Sequence, residues 1–510
     1  MPIVSRIIPN TYRDSVALMQ LSASLKTRPG IEEASAIVAT AGNLALLREV
    51  GLLEGDMTPQ PSNLLVIARA KTAASGEAAL DAAAEALSAQ APAATGSGPT
   101  AMAPRSIQMA FAEATGANLA VVSVPGEYAA AEAEKALRLG LNVLLFSDNV
   151  PVDDEIALKR LAASRGLLLM GPDCGTAIID GVPLAFANNV RRGPIGCVAA
   201  SGTGLQQVTA LVDRLGSGVS QAIGTGGRDL SEAVGGLTML AGLARLAADR
   251  DTKVIVLISK PPAAAVAQRV LAQASKARKP VVVCFVGADP AAIRGKDLYP
   301  VATLDEAART AVALAQGKSA PKRAAARRFT VGARLARGLK PGQRYVRGLF
   351  SGGTFCYEAS LVLGSALGRV WSNAPVRAED ELDDPWKSRE HTLVDLGDDA
   401  FTRGRPHPMI DHGLRNERIV REARDPAVAV ILLDVVLGHG AHPDPAAAMA
   451  PALAAVAKGK QEIALVASVC GTETDPQGLA KQEQALREHG VILGASNAEA
   501  ARIAAAIARI

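Results

Sequence analysis

The feature that most constrains this chain is the apolar run Val198-Ala199-Ala200. It breaks at Ser201-Gly202-Thr203-Gly204 and resumes with helical spacing at Leu205, Val208, Leu211, Val212 and Leu215. That order reads as strand, small-residue turn, helix. A helix starting at such a turn points unpaired backbone N–H groups outward, its dipole adds partial positive charge, and glycines let a ligand approach the backbone. The stretch predicts a βα unit and an anion site built on Ser201, Gly202, Thr203 and Gly204. The pattern returns where Val346-Arg347-Gly348-Leu349-Phe350 runs into Ser351-Gly352-Gly353-Thr354, ahead of a helix through Tyr357, Leu361 and Leu363. One such turn is common in α/β proteins, whereas two copies at matching places in similar segments point to a paired site for phosphate or carboxylate.

Strands and helices alternate along most of the chain, so the expected fold class is α/β, with several doubly wound parallel-sheet domains of Rossmann or flavodoxin-like type. Composition agrees: 49% of the residues are hydrophobic and only 3% aromatic, so small aliphatic side chains must fill the core. A net charge of +4 is too small to imply nucleic acid. No apolar run approaches a membrane span, and Arg6, Arg13 and Asp14 interrupt any signal-peptide core, so a cytoplasmic protein is expected. The cysteines are scattered, without disulfide or metal-ligand spacing.

Residues 1–100 read as a small α/β module, closed by a loop at 90–100 rich in Ala, Pro, Gly and Ser. Residues 101–193 read as a Rossmann-type domain whose strands end at Ser147-Asp148-Asn149 and Gly171-Pro172-Asp173-Cys174, where parallel sheets hold ligands. Residues 194–317 contain the first Ser-Gly turn, with Gly226, Gly227, Arg228 and Lys260 in loops able to face the same anion. The stretch 318–345 is basic and reads as a linker. Residues 346–510 repeat the 194–317 order: Thr392–Leu396 takes the place of the strand at 219–223, and Val428–Leu433 that of 254–258.

All six histidines follow residue 390. His407 lies between two prolines in a loop that also carries Arg403, Arg405 and Asp411. Two guanidiniums and an imidazole suit a substrate with carboxylate or phosphate oxygens, so these four are the candidate catalytic residues. His439, His442 and Asp444 have no diagnostic metal spacing, and no metal is expected. Cys174 and Cys470 lie in glycine loops without an evident activator.

The strings Gly171-Pro172-Asp173-Cys174-Gly175-Thr176, Ser201-Gly202-Thr203-Gly204, Gly226-Gly227-Arg228-Asp229, Ser259-Lys260-Pro261-Pro262 and Arg405-Pro406-His407-Pro408-Met409-Ile410-Asp411 resemble the FdrA family over essentially the whole chain. That family is similar to succinyl-CoA synthetases, with α-like and β-like ligase domains fused. The resemblance implies a CoA-binding-like domain at 101–193 and two related ligase-type domains, whose Ser-Gly turns match the helix starts that hold a phosphohistidine in the synthetases. Asp173 and Lys260 would then also contact substrate. The histidine itself has no counterpart between Val286 and Tyr299. Neither an ATP-grasp domain nor the glycine-rich CoA loop is recognisable. The resemblance further implies a subunit of oxamate carbamoyltransferase in allantoin and purine nitrogen breakdown, converting oxalurate and phosphate to oxamate and carbamoyl phosphate. Partners would be other subunits of the same complex and further copies of the chain. The resemblance fixes no cofactor: phosphate and carbamoyl phosphate enter as substrates, with CoA as an option. The alternatives are a nucleotide-dependent acyl-CoA synthetase with its phosphohistidine elsewhere, such as His407, and a metabolite-binding scaffold without turnover.

Overall fold

A computed structural model describes residues 1–9, 11, 13–53, 57, 59–89, 104–321, 339–403, 405–459 and 461–509. The loop expected at 90–100 and most of the basic linker fall outside them. Among the described residues no helix is long and apolar enough to cross a membrane.

The N-terminal module consists of β1 (Ile3–Ile8), α1 (Ser15–Lys26), β2 (Ile31–Val38), α2 (Ala41–Glu49), β3 (Leu64–Ala70) and α3 (Ala73–Ala89). Its sheet has the order β1-β3-β2 and is antiparallel, unlike the sheets that follow. β2 and the central strand β3 bury Ala34, Ala36, Leu64, Val66 and Ala68 against α1 and α3. A three-stranded parallel sheet follows, built from α4 (Ile107–Glu113), β4 (Leu119–Val122), α5 (Gly126–Arg138), β5 (Asn142–Leu145), α6 (Val152–Ser164) and β6 (Leu169–Met170).

The next sheet has seven strands in the order β13-β12-β11-β9-β10-β7-β8. It comprises β7 (Thr176–Ile179), β8 (Val182–Ala185), β9 (Arg192–Ala199), α7 (Gly202–Arg214), β10 (Val219–Gly224), α8 (Leu237–Ala248), β11 (Val254–Ser259), α9 (Ala264–Ala274), β12 (Val281–Phe285), β13 (Leu298–Pro300) and α10 (Leu304–Ala315). The β7–β8 hairpin turns at Asp180-Gly181, both with positive φ as a two-residue hairpin turn requires. It pairs with β10 through Ile178 and Ala222, so this hairpin, expected within 101–193, belongs to the following sheet.

The last sheet has the order β15-β16-β14-β17-β18-β19. It is assembled from β14 (Tyr345–Phe350), α11 (Gly353–Leu367), β15 (Trp371–Ser372), β16 (Thr392–Asp395), α12 (Asp399–Thr402), α13 (Gly413–Glu422), β17 (Val428–Val436), α14 (Pro445–Ala457), β18 (Ala464–Cys470), α15 (Leu479–Glu488), β19 (Ile492–Gly494) and α16 (Asn497–Ala508). The runs β10-β9-β11-β12-β13 and β16-β14-β17-β18-β19 are the same 2-1-3-4-5 order, that of a flavodoxin-like sheet. The two halves share one hydrophobic core, in which Leu205, Val208, Leu304 and Ala308 of the first pack with Phe355, Ala359, Ala501 and Ala504 of the second. A polar strap locks them: Asn188 donates to Leu437 O (2.9 Å) and Asp475 (2.8 Å), and the Asn189 N–H donates to Asp475 (2.7 Å).

Candidate functional site

In a 2-1-3-4-5 sheet the crevice lies beyond the carboxyl ends of the first and third strands. In the first half these are β9, which feeds Ser201, and β11, which feeds Lys260; in the second they are β14, which feeds Ser351, and β17, which carries Asp434. The halves pack so that the two crevices meet. Ser201 Oγ and Thr354 Oγ1 lie 2.6 Å apart, joining the N-terminal turns of α7 and α11. The seam between them is narrow, and a Cβ on Gly352 would come within 2.8 Å of Thr203 Cγ2. Gly202 and Gly353 form its solvent-facing lip.

The two turns are not equivalent. In the first, Ser201 Oγ caps α7 by accepting from the Gly204 N–H (2.9 Å), while the N–H groups of Gly202 and Thr203 meet no acceptor among the described residues. In the second, Asp434 accepts from the Ser351 N–H (2.8 Å), Ser351 Oγ (2.9 Å) and the Gly352 N–H (2.9 Å). An internal carboxylate has taken the place expected for an external anion, so Ser351 and Gly352 hold the turn rather than a ligand. Asp434 is itself held by buried Arg415, whose Nη1 donates to Asp434 Oδ1 (3.0 Å) and O (2.7 Å). Burial pushes the Asp434 carboxyl up, against the opposing pull of Arg415 and the Ser351 donors. Gly353 and Thr354 keep N–H groups without acceptors among the described residues.

Asp395, at the end of β16, lies against the first turn of α11, where a Cβ on Gly353 would collide with its Oδ2. Burial pushes its carboxyl up to about 6, with Asp398 and Asp434 adding to the rise and the Gly397 N–H and Lys260 opposing it. The Lys260 ammonium reaches across from the first half and sits 5.2 Å from the ring centroid of Tyr357 on α11. His407 completes the group, its Nε2 within 2.8 Å of where a Cβ on Gly397 would lie and its ring centroid 6.1 Å from that of Phe186. His407 Nδ1 accepts from the Met409 N–H (3.2 Å), which assigns the proton to Nε2. Burial, helped by Arg415, lowers this imidazole to about 4, so it is neutral at pH 7.

Other candidate residues lie elsewhere. Arg403 and Arg405, expected beside His407, line a separate cleft against α2, with the Arg405 guanidinium 5.8 Å from the Trp386 ring centroid. Asp411 caps α13 by accepting from the Gly413 N–H (2.8 Å) and lies 3.5 Å from Lys26 of α1; its work is structural. Arg228 donates to Val150 O (2.7 Å) and pairs with Glu155 (3.0 Å), so it ties its loop to α6 instead of facing the α7 turn. Gly226, at φ +84°, packs on Pro172 O where a side chain would clash, and Gly227 faces Asp173. Asp173, also in left-handed backbone, is pushed up to about 6 by burial and by Asp148, with Arg228 pulling it down. These four residues lie at the contact between the second and third sheets, where Lys159 also pairs with Asp229 and Thr238 donates to Leu169 O, apart from the Ser201–Thr354 seam. His439 Nε2 lies 2.9 Å from Asn189 Oδ1, and His442 Nδ1 accepts from the Asp444 N–H. Burial raises all five thiols, Cys174 and Cys197 to about 12, which leaves them poor nucleophiles. The residues that sequence reasoning missed are Asp434, Arg415 and Asp395. For the two acids the available signal was a lone carboxylate in an apolar strand, Asp395 at the end of Thr392–Asp395 and Asp434 near the end of Val428–Val436.

Comparison with known proteins places three family models on the chain: a CoA-ligase model on residues 349–507, a CoA binding domain model on 191–287, and a model described as AllF, heavy metal-associated domain, on 1–104. The CoA binding match falls on the segment expected as the first ligase-type domain, not on 101–193. The uncharacterized protein YahF of Escherichia coli (strain K12) is 44% identical over 96% of both chains. The succinate–CoA ligase [ADP-forming] subunit alpha of Staphylococcus epidermidis is 30% identical over 29% of this chain, which spans about half of that subunit (48%). Among solved structures, PH0766 from Pyrococcus horikoshii OT3 is similar at 15% identity, with a TM-score of 0.33 over 77% of this chain and 83% of that one. Residues 1–104 contain neither cysteine nor histidine, so neither a thiolate nor an imidazole is available there as a metal ligand.

Proposed function

This chain belongs to the FdrA family of succinyl-CoA synthetase-like proteins, and from that premise we propose that it is a carbamoyltransferase subunit, interconverting oxalurate plus phosphate with oxamate plus carbamoyl phosphate. The observation that carries the reading is the Ser201–Thr354 seam, with open N–H groups on Gly202, Thr203, Gly353 and Thr354, and with the Lys260 ammonium over Tyr357 of the same helix α11. Phosphate binds at this lip, where helix dipoles and Lys260 offset its charge. In the phosphorolytic direction a phosphate oxygen attacks the carbamoyl carbon of oxalurate. The bond from that carbon to the oxamate nitrogen breaks, and the nitrogen keeps the electron pair and takes a proton. Asp395 is the group placed to give that proton and, in reverse, to accept it from oxamate. His407 Nε2–H donates to the carbamoyl oxygen as charge builds there. Other subunits and further copies of the chain complete the assembly, in the cytoplasm.

The CoA-ligase matches favour a second reading, an acyl-CoA synthetase with a phosphohistidine. His407 is poorly suited to it, because Nδ1 is engaged and Nε2 carries the proton, leaving no lone pair for phosphoryl attack. Calorimetric titration of the full chain with carbamoyl phosphate, and separately with CoA, tests the choice. Carbamoyl phosphate is expected to bind and CoA not to. Gly202→Leu, which crowds the lip, is expected to weaken binding by at least about tenfold, on the order of 1.4 kcal/mol. Binding of CoA with none of carbamoyl phosphate would sink the transferase reading; binding of neither would point to a scaffold.

A further inference from the structure

A cleft of about 460 Å³ opens between α2 of the N-terminal module and the last domain. It is distinct from the seam and uses none of the groups assigned there. One wall is Leu46 and Val50; the other includes Phe401 and Trp386, whose rings meet edge to face at 4.8 Å. Trp386 is 37% exposed, so its indole presents apolar surface to the cleft. Four charged side chains line the same space: Arg403, Arg405 and Asp399 from the last domain and Glu49 from α2. None of the four forms an ion pair among the described residues. The Lys26–Asp411 contact at 3.5 Å holds the module against the same domain.

Two unpaired guanidiniums call for a carboxylate, and two unpaired carboxylates call for an ammonium. The apolar walls call for a hydrocarbon body between them. We propose that this cleft binds an α-amino acid with an apolar side chain, its carboxylate on Arg403 and Arg405, its ammonium on Glu49 and Asp399, and its side chain against Leu46, Val50 and Trp386. The N-terminal module then serves to complete a zwitterion site, to which it contributes Leu46, Glu49 and Val50. The site stands independently of the transferase reading, since it requires neither phosphate nor the seam.

The test is emission of Trp386 in the full chain titrated with L-leucine, with 4-methylpentanoate and 3-methylbutylamine as analogues lacking the ammonium and the carboxylate. Leucine is expected to give a saturable change, with each analogue at least about tenfold weaker. Trp386→Phe should remove the signal and leave that of buried Trp371. The Arg403→Gln/Arg405→Gln pair and, separately, Glu49→Gln on the exposed face of α2 should each weaken leucine at least about tenfold, with the far-ultraviolet spectrum unchanged. No response to leucine, equal responses to the analogues, or an undiminished response in the arginine variant overturns the proposal. Carbamoyl phosphate titration of the same variants separates its failure from failure of the transferase reading.

Discussion

Asp395 and His407 are neighbours at the seam, yet their proton affinities are moved in opposite directions by the same burial, up to about 6 and down to about 4. Only Asp395 changes charge between pH 5 and 7. If it accepts the oxamate proton, the rate of oxalurate formation should rise with pH through a midpoint near 6, and Asp395→Asn should flatten that rise; a profile unchanged by the substitution would remove Asp395 from the chemistry. Its effect on stability has the reverse sense. A carboxyl whose folded pKa lies above its unfolded value contributes stability below about 3.8, and this is lost as pH rises through about 6. Asp395→Asn should therefore cost no stability at pH 7.5. The acid was present in the sequence as the end of a strand, but its burial and its approach to Gly353 belong to the packed chain.

At the scale of elements, equivalent strands differ in polarity at one position beside the turns. Ala199 pairs with Ile258 and Leu349 with Leu433, so the residue following each partner is Ser259 in β11 and Asp434 in β17. That single difference closes the second turn and leaves the first open. Asp434→Asn should destabilise the chain by about 3–5 kcal/mol, because Arg415 would be left as a buried, unpaired charge. Urea unfolding of this variant beside Asp434→Leu/Arg415→Met checks it, the apolar pair recovering part of the loss. The strand-to-helix units were legible from periodicity because each reports on its own neighbours. The β7–β8 hairpin was not, since its Asp-Gly turn says nothing about which sheet receives it.

At the scale of the whole molecule, the last two sheets share one core and should therefore unfold as one unit. Their helices share a core, and Glu358 of α11 accepts from the Leu304 N–H of α10 (2.8 Å) and from Asn497 (2.8 Å). Cys197 and Cys284 are buried in the first half and Cys356 and Cys470 in the second. In a urea series followed by thiol labelling and mass spectrometry, both pairs should become reactive at the same concentration; two separated midpoints would show that the halves unfold independently.

The sequence by itself determined the alternating α/β class, the internal repeat and the two Ser-Gly turns, because these follow from local periodicity and from what glycine and serine permit at a helix start. Tertiary structure alone decided that the turns meet at 2.6 Å, that Asp434 fills one of them, and that Arg403 and Arg405 face α2 while His407 faces the seam. Two residues on either side of Pro406 can point into different clefts, and residues 153 positions apart can share a hydrogen bond. Such outcomes depend on which faces pack together, and local sequence carries no term for that.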